Sequence, residues 1–199
     1  MKNSDRKSLT LDSIVVRSKS VLSSSAQNTS LCDIDSVSGN QLDSFINKVL
    51  LCRSLSYVDK GIILLCLCEG LRISEVLDIK ADDWRAGNKA FIRGKKGSFD
   101  RVVSVRFFYN ELRSFTFNYG CLAAAGNRFY FYREFKKLGI IFQSSNSSKT
   151  SVTHAGRHLL ADDLYQHGND IELSQRTLGH KSSNSTKHYV EEKQTKKRK

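Results

Sequence analysis

Three short clusters in this sequence carry side chains whose types and spacing suit the holding of an anion. The first is Gly70-Leu71-Arg72-Ile73-Ser74-Glu75, at the expected start of a helix. Aligned peptide dipoles make a helix N-terminus welcoming to negative charge. Glu75, three positions on, can brace the Arg72 guanidinium from the same face. The second is His154-Ala155-Gly156-Arg157-His158. His154 and Arg157 are spaced i, i+3, so on a helix they project side by side and can reach one phosphate together. The third is Leu178-Gly179-His180, followed nine residues on by Tyr189 after the polar run KSSNSTKH. Taken singly, each has a plain reading: a surface ion pair, a polar helix start, and a half-buried tyrosine packed on the core.

Regular elements must carry these clusters. Leu42, Phe45, Ile46, Val49 and Leu50 follow i, i+3, i+4, i+7, i+8, one apolar helical stripe. A second helix is expected to start at Ser56, with Asp59 three positions on as in a capping box, and to run to Glu69. It is apolar on most sides, as a buried helix is, and Gly70 breaks it. A third helix is expected from Arg72 to Lys80, with Ile73, Val76 and Leu77 inward. Ala90–Arg93 and Val102–Val105 are β-prone, with Gly94-Lys95-Lys96-Gly97 opening the turn between them. Phe108, Leu112 and Phe115 share a helical face, as do Phe135 and Leu138. Gln143–Ser151 is a polar, serine-rich loop. Thr153 can cap a helix ending at Gly168, Asp170 another ending near Leu178-Gly179, and Ser182 or Ser183 a last short one carrying Tyr189. The class is mainly α with a small antiparallel β-sheet.

The chain has 199 residues, with 32 Lys and Arg against 20 Asp and Glu, a net charge of +12. That excess points to an anionic partner, nucleic acid before an acidic membrane. Mean hydropathy is −0.40, and the longest apolar run, Ile62 to Cys68, falls well short of the roughly 18 residues a membrane span needs. MKNSDRKSLT at the N-terminus lacks the apolar stretch of a signal peptide. The five cysteines (Cys32, Cys52, Cys66, Cys68, Cys121) show no zinc spacing and read as buried free thiols of a reducing compartment. Residues 1–40 are serine-rich and nearly charge-balanced, and are expected to be a flexible segment with at most one short helix or strand near Ile14–Val16. Most of the positive charge therefore belongs to residues 41–199.

Together the clusters resemble the tyrosine recombinase family, which includes the lambda-type integrases. The family's catalytic set runs Arg, Lys, His-x-x-Arg, His or Trp, Tyr. Here Arg72 in GLRISE, a lysine in GKKG, His154-x-x-Arg157, His180 in LGH and Tyr189 follow in that order, with Ser185-Thr186 before the tyrosine as in the family's usual ending. Five motifs in order are far more specific than any one of them. Lys95, which follows Gly94 as in the family's GKG turn, is the favoured lysine, with Lys96 second. One departure is Gly156, where the family usually has leucine; a glycine there is expected to loosen the helix start. The resemblance implies three divisions: the segment 1–40, a catalytic domain over 41–190 and a basic tail over 191–199. About 40 residues before the first clear helix leave no room for the family's separate core-binding domain, so the chain looks like the near-minimal fimbrial phase-variation invertases.

The resemblance also implies a reaction. Tyr189 would attack a DNA phosphorus and form a 3′-phosphotyrosyl link, so that strands are cleaved and rejoined without ATP. Arg72 and Arg157 would clamp the non-bridging oxygens with planar donor pairs, and His180 would add a donor. A hairpin lysine would protonate the departing 5′-oxygen. A free phenol has a pKa of about 10, so Tyr189 needs a base, and His154 is the candidate. Fixed cations do the charge stabilisation, so no metal or cofactor is expected. Lys96, Arg101 and Arg106 are candidate DNA-backbone contacts, with Arg128, Arg133 and the terminal KKRK beside them. The expected setting is double-stranded DNA in the cytoplasm at the nucleoid, with a homo-tetramer on paired sites and no membrane. Two alternatives share the residues: a non-catalytic DNA-binding relative acting as a regulator, and a type IB topoisomerase-like relaxing enzyme.

Overall fold

A computed structural model of the chain describes residues 41–95, 98–143, 150–168 and 171–179. All belong to one compact unit, Asn40–Lys199. The segment 1–40, Lys96, His180, Tyr189, the expected caps at Asp170 and Ser182 or Ser183, and the tail 191–199 lie outside the described residues.

Helix α1 (Gln41–Leu51) buries Leu42, Phe45 and Val49, the stripe expected from its periodicity. Helix α2 (Tyr57–Cys68) starts at Ser56, whose Oγ accepts from the Asp59 amide at 3.1 Å. Ile62 through Cys68 are all buried, because α1, α4 (Tyr109–Tyr119) and α6 (Ala155–Gly168) pack around α2. Even Lys60 is buried on it, its ammonium donating to the Leu50 carbonyl at 2.9 Å. Gly70 ends this run in the left-handed region at φ +59°, where a Cβ would lie 2.8 Å from Leu178 Cδ2. Conformation and space both demand glycine there.

The expected helix over Arg72–Lys80 is shorter, α3 (Ile73–Val76). Two long-range or local pairings compete with its continuation. The buried Ile79 gives its carbonyl to the Leu122 amide at 3.1 Å, and Asp83 accepts from the Lys80 amide at 2.8 Å, starting a separate 3₁₀ turn over Ala81–Asp83. The sheet has three strands, not two. Strand β1 (Trp84–Arg85) pairs antiparallel with β2 (Lys89–Ile92), and β2 with β3 (Arg101–Ser104), with Ala90 opposite Val103 and Ile92 opposite Arg101. Gly87 and Asn88, at φ 73° and 54°, make the β1–β2 turn. Trp84 Nε1 donates to Thr116 Oγ1 at 2.7 Å and so ties the sheet to α4.

Helix α5 (Arg128–Lys137) buries Phe131 and Phe135 and is capped by Asn127, which accepts from the Tyr130 amide at 2.9 Å. The ends of the Gln143–Ser151 stretch pair as strands β4 (Phe142–Gln143) and β5 (Thr150–Ser151). Helix α6 begins at Ala155, so His154 and not Thr153 is the residue before it, and the first helical bond runs from the His158 amide to the His154 carbonyl at 3.1 Å. Helix α7 (Ile171–Leu178) follows, and Gly179 ends it at φ +66°.

Gly156 has a packing role at the start of α6. A Cβ there would strike the Cys66 carbonyl oxygen and lie 2.5 Å from Leu67 Cα. The glycine lets α6 lie directly on the backbone of α2, and this close approach sets the position of Arg157. Cys66 and Cys68 are buried free thiols, and burial pushes both thiols up, that of Cys68 to about 12. Cys52 and Cys121, expected to be buried, are free thiols only half-buried, because they lie just beyond the end of α1 and of α4 and not within the core helix α2. Among the described residues no helix is long and apolar enough to cross a membrane.

Candidate active site

The site forms where α3, the β2–β3 connection, the start of α6 and the end of α7 meet, and its centre is a carboxylate. Glu75 is 1% exposed. Its Oε2 accepts from the Arg72 amide at 3.0 Å, which holds the short α3 in shape, and its Oε1 pairs with Arg72 Nη1 at 3.2 Å. Arg101 Nη2 reaches Oε2 at 3.2 Å, and Arg157 Nη1 lies 3.9 Å from it. Burial alone would push the Glu75 carboxyl up. Arg101, the Arg72 amide, Arg157 and the Arg72 side chain outweigh that and hold it below the usual carboxylate range. One negative charge is thus shared by three cations, and the cluster retains a net positive field.

Arg72 also donates from Nη1 to the Lys95 carbonyl at 3.4 Å and to the buried Ser98 hydroxyl. The β2–β3 connection is therefore folded down onto the first arginine. Gly94 permits this fold, since a Cβ there would lie 2.6 Å from the Phe99 carbonyl carbon. Arg157 is 1% exposed. It donates from Nη1 to the Gly70 carbonyl at 2.9 Å and from Nη2 to the Leu178 carbonyl, so it locks the break after α2 to the end of α7.

His154 is half-buried at the start of α6. Burial, then the charges of Arg72 and Arg157, hold its imidazole below the ordinary histidine value, with Glu75 opposing them. The ring is therefore neutral at pH 7, the state that can accept a proton. His158 stacks on Phe142, with centroids 4.6 Å apart.

Of the residues singled out in the sequence, Arg72, His154 and Arg157 come together. Lys95 is joined to them through its carbonyl, while its ammonium pairs with Asp78 at 3.2 Å in a half-exposed bridge. Arg101 and Arg106 are not open surface cations. Arg101 is part of the Glu75 cluster, and Arg106 Nε lies 3.4 Å from Glu69 Oε1, a carboxyl that burial pushes up. Arg128 and Arg133 are exposed. Sequence reasoning placed Glu75 beside Arg72 but missed that Arg101 and Arg157 share it. Only the alternation of β3, which turns Arg101 and Val103 to the same face, hinted that Arg101 faces inward.

Residues 36–196 match the phage integrase family. Tyrosine recombinase XerA of Thermococcus kodakarensis is 30% identical over 145 residues, covering 66% of this chain and 50% of that protein. Tyrosine recombinase XerH of Campylobacter jejuni is 28% identical over 145 residues, covering 66% of this chain and 40% of the relative. The chain spans about half the length of the curated relatives it matches. A solved structure of XerH site-specific recombinase, bound to a palindromic difH substrate in a post-cleavage complex, superposes with a TM-score of 0.61 at 21% identity, over 81% of this chain and 51% of that one. The fold is shared with that recombinase, and the motif order, the family match and the arginine cluster agree: this chain belongs to the phage integrase family of tyrosine recombinases.

Proposed function

We propose that this chain is a site-specific DNA recombinase that cleaves and rejoins duplex strands through a 3′-phosphotyrosyl intermediate. The observation that carries this reading is the convergence of Arg72 and Arg157, from distant segments, on one buried carboxylate beside a neutral His154. The Tyr189 oxygen attacks the backbone phosphorus, its proton passes to His154, and the P–O5′ bond breaks. The 5′-oxygen leaves as a hydroxyl with a proton from Lys95, whose half-exposed bridge to Asp78 costs little to open. Arg72, Arg157 and His180 stabilise charge on the non-bridging oxygens. A 5′-hydroxyl of a second strand then reverses the attack, so bonds formed and broken balance without an energy cofactor. The partners in this reading are double-stranded DNA and further copies of the chain, as a tetramer on paired sites in the cytoplasm at the nucleoid.

The test uses a duplex carrying a cognate site with a nick beside the cleaved bond, so that the released fragment diffuses away and religation fails. On a denaturing gel a covalent protein–DNA band is expected, and it disappears in Tyr189→Phe. A second reading, a relative that binds DNA without cutting it, is favoured by the burial of Arg157 and its two carbonyl partners. Tight, salt-sensitive binding to the verified site with no covalent band would establish that reading instead.

A further inference from the structure

We propose that Arg101 is a positioning residue of the strand-transfer site and not a contact to the DNA backbone; the proposal rests on the recombinase reading given above. Arg101 closes a ring of contacts around Arg157. Its Nη2 holds Glu75 Oε2 at 3.2 Å, and Glu75 in turn faces Arg157 at 3.9 Å. Its other edge lies against the turn at Gly179, where a Cβ would sit 2.7 Å from Nη1 and 3.0 Å from Cζ. The carbonyl of Leu178, one residue earlier, receives Arg157 Nη2. The same turn is tied to the β2–β3 connection, because the Phe99 amide donates to the Gly179 carbonyl at 2.8 Å and Arg101 Nη1 donates to the Phe99 carbonyl at 3.3 Å. One guanidinium therefore keeps in register the carboxylate that Arg72 and Arg157 share, the backbone that anchors Arg157, and the connection that carries Lys95.

Two further observations fit this role. The Arg101 side chain is 11% exposed, so little of it is open to a phosphate outside. Its Nε is buried without a hydrogen-bond acceptor among the described residues. Gly179 is the seat that makes the place available: its φ of +66° and the closeness of Arg101 both exclude a side chain.

The test compares Arg101→Gln, Arg101→Lys and Gly179→Ala in the full chain. With nicked cognate duplex at saturating protein, Arg101→Gln is expected to slow covalent-complex formation by about 10–100-fold, as loss of an outer partner does at other assembled sites. Arg101→Lys recovers most of the rate. Gly179→Ala, which removes no charge but displaces the guanidinium, gives a similar loss, and the double variant is no slower than the worse single one. The dependence of log K for DNA on log salt keeps its wild-type slope in all three. The opposite pattern, a slope lowered by about one in Arg101→Gln with an unchanged rate at saturation, would make Arg101 a phosphate contact and overturn the proposal. A further readout does not need cleavage: amide exchange at Phe99 is faster in Arg101→Gln than in wild type or Arg101→Lys. Unchanged exchange there also overturns the proposal. If the wild type forms no covalent complex, the recombinase reading fails by itself, and the exchange and salt measurements still decide where Arg101 acts.

Discussion

At the scale of single residues, the chemistry turns on how far buried charges offset one another. His154 feels the charges of two arginines and one glutamate, and burial together with the arginines holds its imidazole below the ordinary histidine value. The sign of the pH effect follows. The unfolded chain takes up the imidazole proton first, so the contribution of His154 to stability is intact above the ordinary histidine pKa of about 6.5 and is lost as pH falls through it toward the lower folded value. Denaturant unfolding of wild type and His154→Gln should therefore diverge with pH: wild type loses more stability than the variant between about pH 7 and pH 5. Equal losses would mean that neither burial nor the arginines perturb the imidazole. Arg72→Gln removes one of the two cations and should raise the histidine titration midpoint followed by NMR.

At the scale of elements, the site depends on two helices that touch through backbone. Two effects of Gly156→Ala oppose each other. Alanine favours a helix over glycine by about 1 kcal/mol, whereas a Cβ placed 2.5 Å from Leu67 Cα has no flexible neighbour to push aside. Overpacking of this kind costs about 1–3 kcal/mol or more, so the clash wins. Gly156→Ala is expected to lower the melting temperature, and the larger Gly156→Leu to lower it further. A rise in melting temperature would show that α6 can move off α2 freely. Because Arg157 follows directly on Gly156, its two carbonyl bonds should weaken in the same variants.

At the scale of the whole molecule, part of the net charge of +12 is held inside the protein, where three arginines share one carboxylate. Arg72, Arg101 and Arg157 share Glu75, Arg93 pairs with Asp83 at 2.6 Å, and Arg106 with Glu69. A clamp on duplex DNA that still made six or more phosphate contacts would lose about 10³-fold or more in affinity between about 50 and 200 mM salt. That loss is the expected result in a titration on cognate duplex. A nearly flat dependence would mean that the positive charge is spent inside the protein.

Much of this arrangement was legible in the sequence where the determinant is local. The spacing of Leu42, Phe45 and Val49 makes α1, Ser56 with Asp59 starts α2, Gly70 ends it, and the ordered motifs name Arg72, His154 and Arg157. Each of these signals acts within one or two helical turns, so a linear string contains it. The early end of α3, the third strand at Trp84–Arg85, the meaning of Gly156 and the inward turn of Arg101 were not readable in the same way. Each is decided by a partner from a distant part of the chain: the Leu122 amide, the face of α4, the backbone of α2, and a carboxylate on α3. By itself the sequence determined which side chains were available and in what order. Only the tertiary structure decided which arginines face one carboxylate, because desolvation and close packing depend on what lies within a few ångströms and not on what lies next along the chain.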